Sequence, residues 1–314
     1  MQRRTAMGLL VAALLQATSV CAEPAWLDYK LARPDGSHIS YRLLSRQPAT
    51  QPTTLLVAIQ GSDCNSVAHN QAIQQHLINV LPAADVLVVE KYGLDATLPH
   101  SNSPERPDCP APYLHHDNPI QRTRDLSAVI ADLLRTQGYR KIVAVGGSEG
   151  ATVAMLLAAN SSHVDATIAF SGGGRWFRDD LTHSVMASDM PAAQKPRAAQ
   201  GLTQLAQKIV HTPMPDLRMS NHGESWWKGM LGLDMLAVLQ TVRTPVLLIQ
   251  GGRDDDASPQ AALALVAQLH QAGQRNVDYL PYPTLDHRLA APDKTSRFAE
   301  VVKDMNVWLR RQGF

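Results

Sequence analysis

The amino-acid sequence predicts an α/β fold: a doubly wound, mostly parallel sheet with an N-terminal antiparallel hairpin and a helical lid insertion. Short, almost entirely apolar segments alternate with amphipathic helical segments along most of the chain. This alternation is typical of a parallel sheet that is covered by helices on both faces. The chain has 314 residues, of which 45% are hydrophobic and 18% are charged, so it can bury one large core.

The predicted elements begin with a hairpin whose strands, Trp26–Leu31 and His38–Leu43, are joined by Pro34-Asp35-Gly36. Apolar strands follow, at Thr54–Ile59, Asp85–Val89, Lys141–Val145, Asp165–Phe170, Val246–Ile249 and Val277–Leu280. Apolar residues at helical spacing predict helices at Ile120–Thr136, Ala261–Leu269 and Phe298–Trp308. Further helices are predicted at Ala68–Leu81 and at Ser148–Ala159, the second of them buried on all sides.

Two segments break this alternation. Residues 92–118 form a long polar connection that is rich in Pro, His and Asp, and a connection of that length is usually functional or an insertion. The region of about 172–236 contains four prolines and several helical pieces. It predicts a lid or cap inserted into a single domain of residues 23–314. Within it, Trp226 and Trp227 either line an apolar substrate pocket or pack the lid onto the core.

The first 22 residues predict a secretory signal peptide. Arg3-Arg4 is the charged start, Met7–Leu15 is an apolar run too short for a comfortable membrane span, and Val20-Cys21-Ala22 is a cleavage site of small residues. We expect a mature chain that begins at Glu23 and is periplasmic or secreted. Cys21 as a lipoprotein cysteine and Arg3-Arg4 as a twin-arginine signal are alternatives, although the residues around them fit poorly.

The charge of the chain gives no support to two classes of partner. The formal net charge is +1 and there is no basic stripe, so nothing electrostatic points to a nucleic acid or an anionic membrane. We expect a small-molecule or acyl substrate, no membrane span in the mature chain, no cofactor and no metal. A metal site at His115-His116-Asp117 is a weaker alternative, because adjacent histidines point in different directions.

The segment Gly146-Gly147-Ser148-Glu149-Gly150 matches the pattern G-x-S-x-G. A predicted strand runs directly into it and a predicted helix begins at the serine, which is the setting of a nucleophile elbow. Such a turn strains the serine backbone, and bulk at Gly146 or Gly150 would collide with neighbouring elements. The helix N-terminus favours developing negative charge. The alternative is a serine that merely caps the helix beside closely packed glycines.

With this motif the chain resembles the α/β-hydrolase family, in which nucleophile, acid and histidine follow in that order. The resemblance implies Ser148 as nucleophile and Asp254 as acid, with the adjacent Asp255 and Asp256 left open as alternatives. It implies His287 as the base, in the loop before the last helix. Other histidines lie upstream of the acid and do not fit this order: His115, His116, His211 and His222.

The same resemblance implies an oxyanion hole made by the backbone N–H groups of Ser62 and Glu149. Gln60 stands where the family often has a histidine, and the nearby Asp63 is unexpected beside a developing negative charge. Because the two strands before Cys64 and Cys109 are neighbours in this fold, the resemblance also implies a disulfide between them. Two unrelated thiols are the alternative.

These features predict an exported serine hydrolase that cleaves an ester-type bond through an acyl-enzyme intermediate, with a carboxylic ester as the expected substrate class. Four alternatives stay open. A peptidase or a thioesterase would use the same three residues. A catalytically silent binding protein would keep only the scaffold. A metal-dependent hydrolase would use His115 and the carboxylates around Asp254.

Overall fold

A computed structural model of the protein describes residues 25–46 and 53–314, so the predicted signal peptide lies outside the described residues. The strands are β1 (Trp26–Ala32), β2 (His38–Leu44), β3 (Thr54–Ile59), β4 (Asp85–Val89), β5 (Lys141–Gly147), β6 (Ala166–Phe170), β7 (Arg218–Met219), β8 (His222–Gly223), β9 (Val246–Gly251) and β10 (Val277–Tyr282). The α-helices are α1 (Gln71–Gln75), α2 (Ala111–His116), α3 (Pro119–Gln137), α4 (Glu149–Asn160), α5 (Phe177–Ala187), α6 (Lys195–His211), α7 (Glu224–Leu231), α8 (Met235–Thr241), α9 (Pro259–Gln271) and α10 (Phe298–Arg311).

Eight strands of the described residues form one sheet in the order β1-β2-β4-β3-β5-β6-β9-β10. The hairpin strands β1 and β2 are antiparallel to each other, and β2 is antiparallel to β4. The six strands from β4 to β10 in this order pair in parallel. The predicted fold class is therefore confirmed, including its N-terminal hairpin.

Alternate residues of β3 show how the apolar strands fill two layers of core. Leu56 and Ala58 pack in the cluster that contains the apolar side of α10. Leu55, Val57 and Ile59 point to the other face and pack with α3 and α4. Because successive side chains of a strand point to opposite faces, a strand buried on both sides must be apolar throughout.

The predicted helix Ala68–Leu81 is wrong as one element. This stretch consists of a 3₁₀ turn at Val67–His69, the short α1 and a second 3₁₀ turn at Leu77–Asn79. The side chain of Asn70 accepts a hydrogen bond from the N–H of Ile73 at 3.0 Å. Asn70 is thereby the N-cap of α1, and an N-cap has extended backbone that interrupts a continuous helix.

Helices α5 to α8 and the strand pair β7–β8 lie between β6 and β9, and we call residues 171–245 the cap segment. It contains an apolar cluster in which Trp226 and Trp227 pack with Ile209. Its α7 packs against α2, which belongs to the long connection after β4. That this segment acts as a lid stays a prediction. Within the described residues, no helix combines the length and apolarity needed to cross a membrane.

The predicted disulfide between Cys64 and Cys109 is present, with a Cα–Cα distance of 6.0 Å. Cys64 follows β3, and Cys109 lies in the connection after β4. The parallel pairing of these strands brings both residues to the same end of the sheet. The bond attaches the long connection to the loop that leads from β3.

Replacing both cysteines by alanine is expected to lower the free energy of unfolding by about 2–4 kcal/mol. The bond closes a loop with a sequence separation of 45 residues, and it restricts the unfolded chain. Urea unfolding of the oxidised protein and of the double variant measures the difference. An unchanged unfolding midpoint would show that the bond does not stabilise the fold.

Candidate active site

Ser148 occupies the turn between β5 and α4, with φ of 55° and ψ of −126°. A positive φ is uncommon and strained for a residue with a side chain. The turn is held by its surroundings: the N–H of Ser148 donates to the carbonyl of Phe170 at 3.0 Å. A Cβ on Gly146 would lie 2.2 Å from the carbonyl oxygen of Gly150, so the close approach requires glycine. Ser148 thus lies at the carboxyl end of a central strand and at the N-terminus of a helix.

Asp254 and His287 form a direct pair. The Nδ1 atom of His287 is 2.9 Å from each carboxylate oxygen of Asp254. The Asp254 carboxylate is buried and also accepts hydrogen bonds from Gln250 Nε2 at 2.7 Å and from the N–H of Ala257 at 2.8 Å. Of the three consecutive aspartates, Asp254 is the one bonded to the histidine.

The other two aspartates of that run, Asp255 and Asp256, are exposed. They act on His287 through charge alone. Burial by itself lowers the pKa of the His287 imidazole, but the hydrogen bond and the charge of Asp254 raise it, and the charges of Asp256 and Asp255 add to this. The net result is a pKa raised above the ordinary value near 6.5.

We expect kcat/KM to rise with pH through a midpoint above about 6.5. The raised pKa keeps His287 protonated to higher pH, and a protonated ring cannot accept a proton from Ser148. Asp256→Asn removes one raising charge and should move this midpoint to lower pH. Asp28→Asn, at the opposite edge of the sheet on β1, is the matched control. A midpoint that Asp256→Asn leaves unmoved would contradict this account of the histidine.

The loop after β3 lies against the nucleophile turn. A Cβ on Gly61 would be 3.6 Å from the Cβ of Ser148. Among the described residues, no protein group accepts a hydrogen bond from the N–H of Ser62 or of Glu149. The two predicted oxyanion donors are therefore free to bind a ligand atom. Their role in catalysis stays a prediction.

Gln60 and Asp63, the two departures from the family pattern, are hydrogen-bonded to each other. Gln60 Nε2 donates to Asp63 Oδ1 at 2.6 Å and to the carbonyl of Asn65 at 3.1 Å. Buried Lys91 donates to the carbonyl of Asp63 and lies 3.2 Å from Oδ1 of the same residue. The Asp63 charge is thus compensated by an ammonium and an amide, and these contacts hold the shape of the loop.

A buried ion pair lies behind the nucleophile turn. Arg122 of α3 donates to Glu149 Oε1 at 2.7 Å and to the carbonyl of Gln60 at 2.7 Å. Burial alone would raise the pKa of Glu149, but the charges of Arg122 and Lys91 lower it well below its usual range. Burial raises the pKa of nearby Asp117, and the Glu149 charge raises it further. Arg122 therefore joins the loop after β3 to the first residue of α4.

Both predicted pocket residues are buried in the cap segment, with about 4% of each residue exposed. Trp227 Nε1 donates to the carbonyl of Met219 at 3.1 Å. The Trp226 ring stacks on His222, with centroids 3.8 Å apart. That either indole lines a substrate pocket stays a prediction.

Three functional candidates were missed by the sequence analysis: Arg122, Lys91 and Tyr113. Each is a polar side chain that the fold buries beside the turn of Ser148 or the loop after β3. One sequence signal was available for Lys91, because Glu90-Lys91 follows directly on an apolar strand. His222 lies upstream of Asp254, so the family order predicts no role for it in the triad.

For the metal alternative, the relevant groups are His115, His116, Asp117 and the carboxylates around Asp254. Across residues 25–46 and 53–314, no cluster of three or more His, Cys, Asp or Glu side chains has the arrangement of a metal site. The Asp254 carboxylate is directed at His287 instead.

Solved structures with the same fold include hydrolases of two kinds. Est1E from Butyrivibrio proteoclasticus is 14% identical, with a TM-score of 0.55 over 91% of this chain and 98% of that one. An esterase from Pyrococcus furiosus is 13% identical, with a TM-score of 0.59 over 92% and 93% of the two chains. The acylaminoacyl peptidase from Pyrococcus horikoshii is 12% identical, with a TM-score of 0.61 over 92% of this chain but 41% of that one. At these identities the likeness is one of fold.

Comparison of the amino-acid sequence with other sequences shows the family of the chain. No curated protein matches the chain. The model of the prolyl oligopeptidase family matches residues 114–312, more than half of the chain, and this range includes Ser148, Asp254 and His287. The chain therefore belongs to the prolyl oligopeptidase family, within the serine hydrolases of the α/β-hydrolase fold.

Proposed function

We propose that this protein is an exported serine hydrolase that cleaves carboxylic esters, with Ser148 as nucleophile, His287 as general base and Asp254 as its partner. The observation that carries the proposal is the hydrogen-bonded pair of buried Asp254 and partly buried His287. The pair lies at the carboxyl ends of β9 and β10, the end of the sheet where the strained Ser148 also lies. Ligands of open α/β sheets bind outside the carboxyl ends of the strands.

The proposed reaction begins when Ser148 Oγ attacks the ester carbonyl carbon and its proton passes to His287 Nε2. The carbonyl oxygen becomes an oxyanion, which accepts hydrogen bonds from the N–H groups of Ser62 and Glu149. The bond to the leaving alcohol then breaks, and His287 returns the proton to the alcohol oxygen. Water repeats the sequence on the acyl-enzyme and releases the acid.

Asp254 supports this reaction by holding Nδ1 of His287 as the protonated ring nitrogen, which leaves Nε2 as the base. The Glu149 carboxylate does not oppose the oxyanion, because Arg122 neutralises it. The N–H of the same residue lies at the N-terminus of α4, where the helix dipole favours negative charge.

A second candidate is a peptidase, which the family match favours. The two are separated by a panel of p-nitrophenyl esters of increasing acyl length and of aminoacyl p-nitroanilides, with Ser148→Ala as the control. We expect ester turnover that exceeds anilide turnover and is abolished by the substitution. Anilide turnover as fast as ester turnover would favour the peptidase. Turnover unaffected by the substitution would contradict both.

Export is proposed on two grounds. The sequence predicts a signal peptide of residues 1–22, and disulfides such as Cys64–Cys109 form and persist in oxidising compartments. N-terminal sequencing of the processed protein should give Glu23 as the first residue. A chain that retains residues 1–22 in the cytoplasm would contradict this part of the proposal.

A further inference from the structure

A buried histidine that the proposed mechanism does not use lies behind the predicted oxyanion loop. His222 belongs to the cap segment, and about 1% of the residue is exposed. Its Nε2 atom is 2.7 Å from Ser62 Oγ, and its Nδ1 atom is 2.8 Å from the Tyr113 hydroxyl. Trp226 stacks on one face of the ring with an interplanar angle of 12°. The histidine therefore joins the cap segment to two other parts of the chain.

His222 is neutral at physiological pH. Burial is the main cause that lowers the pKa of its imidazole, to about 3, and the charges of Lys91 and Arg122 lower it further against the opposing charge of Glu149. A neutral imidazole carries one proton, so one ring nitrogen donates and the other accepts. The three groups Tyr113, His222 and Ser62 thus form a hydrogen-bond chain with a direction.

The surroundings of Tyr113 decide that direction. Its single hydroxyl proton has two possible acceptors, His222 Nδ1 at 2.8 Å and the carbonyl of Asp63 at 3.1 Å. A length of 2.8 Å is normal for a hydrogen bond donated by a hydroxyl, whereas 3.1 Å is long for one. The shorter contact therefore favours donation to Nδ1. His222 then carries its proton on Nε2, and this N–H group donates a hydrogen bond to Ser62 Oγ.

With this direction, no group in the described part of the chain accepts a hydrogen bond from the Ser62 hydroxyl. Ser62 is an exposed residue that follows Gly61, and Gly61 lies against Ser148. The backbone N–H of Ser62 is one of the proposed oxyanion donors. We propose that the Ser62 hydroxyl is a third donor to the oxyanion, and that Tyr113 and His222 are positioning residues that orient it. This inference rests on the proposed function and deepens it.

Losing one oxyanion donor typically lowers kcat by about 10²–10³-fold. We therefore expect Ser62→Ala to lower kcat on the order of 10²-fold, with KM changed much less, because the interaction forms as negative charge develops. Ser62→Thr keeps a hydroxyl and should restore most of kcat. Tyr113→Phe removes the donor to Nδ1 and should give a smaller loss of kcat.

The test combines these kinetics with the tautomer of His222. Nitrogen-15 NMR of histidine-labelled protein, assigned with His222→Gln, should show the Nε2–H form in the wild type. An Nδ1–H tautomer would overturn the inference, because the Ser62 proton would then be donated to the histidine. Equal kcat for Ser62→Ala and wild type would also overturn it.

A fluorophosphonate assay separates failure of this inference from failure of the proposed function. Labelling of Ser148 in the wild type supports the serine hydrolase itself, whatever Ser62 does. If Ser148 is labelled and Ser62→Ala still turns over like the wild type, the third donor alone is rejected. If Ser148 is not labelled in the wild type, the proposed function is rejected, and the inference is rejected with it.

Discussion

Replacing Asp254 by asparagine is expected to lower kcat about 10⁴-fold. The Asp254 carboxylate accepts from Nδ1 of His287 through both of its oxygens. An amide at this position can donate to Nδ1, which would place the ring proton on Nε2 and remove the base. Steady-state kinetics on the best ester of the panel measures the loss.

The chain provides a matched control in the next residue. Asp255→Asn makes the same chemical change on an exposed side chain. At a pH above the His287 midpoint, kcat should stay within about twofold of wild type, as expected for a surface substitution. Circular dichroism of both variants checks that the fold is intact. Equal losses in the two variants, or a loss confined to Asp255→Asn, would contradict the assignment of the acid.

Arg122→Met is expected to lower the free energy of unfolding by about 3–5 kcal/mol. The substitution leaves the Glu149 carboxylate buried without its ion-pair partner, and one of its oxygens already has no hydrogen-bond partner among the described residues. It also removes the donor to the carbonyl of Gln60. Urea unfolding monitored by tryptophan fluorescence measures the change.

Two further variants separate the buried ion pair from a general effect of losing an arginine. Arg135→Met changes an exposed residue of the same helix α3 and should stay within about 0.5 kcal/mol of wild type. Adding Glu149→Gln to Arg122→Met removes the unpaired charge and should recover much of the loss. If Arg122→Met is no less stable than Arg135→Met, the pair does not support the nucleophile turn.

The fold was predictable because its buried strands can be recognised in the sequence as continuous apolar runs. β3, β4, β6 and β9 are buried on both faces, and a strand in that position must be a continuous apolar run. Parallel pairing brings the carboxyl ends of β5, β9 and β10 to the same end of the sheet. Each of these strands is followed by one of the three residues Ser148, Asp254 and His287. Order along the chain was therefore enough to place the three residues at the same end of the sheet, where Asp254 and His287 are in contact.

Contacts between distant polar side chains were not predictable in the same way. Three consecutive aspartates look alike in the sequence, and only burial beside Gln250 and His287 distinguishes Asp254. The contact between Ser62 and His222 spans 160 residues and depends on how the cap segment packs. Side-chain pairing of this kind has no periodicity, so hydrophobic patterns carry no information about it.

The mass of the protein after reaction with a fluorophosphonate tests most directly whether Ser148 is the nucleophile. If Ser148 is the nucleophile, one covalent adduct forms, which peptide mapping places on Ser148 and which is absent from Ser148→Ala. Activity should disappear in proportion to the labelled fraction. An adduct on a different residue, or a wild-type protein that remains unlabelled under conditions that label a known serine hydrolase, would contradict this role of Ser148.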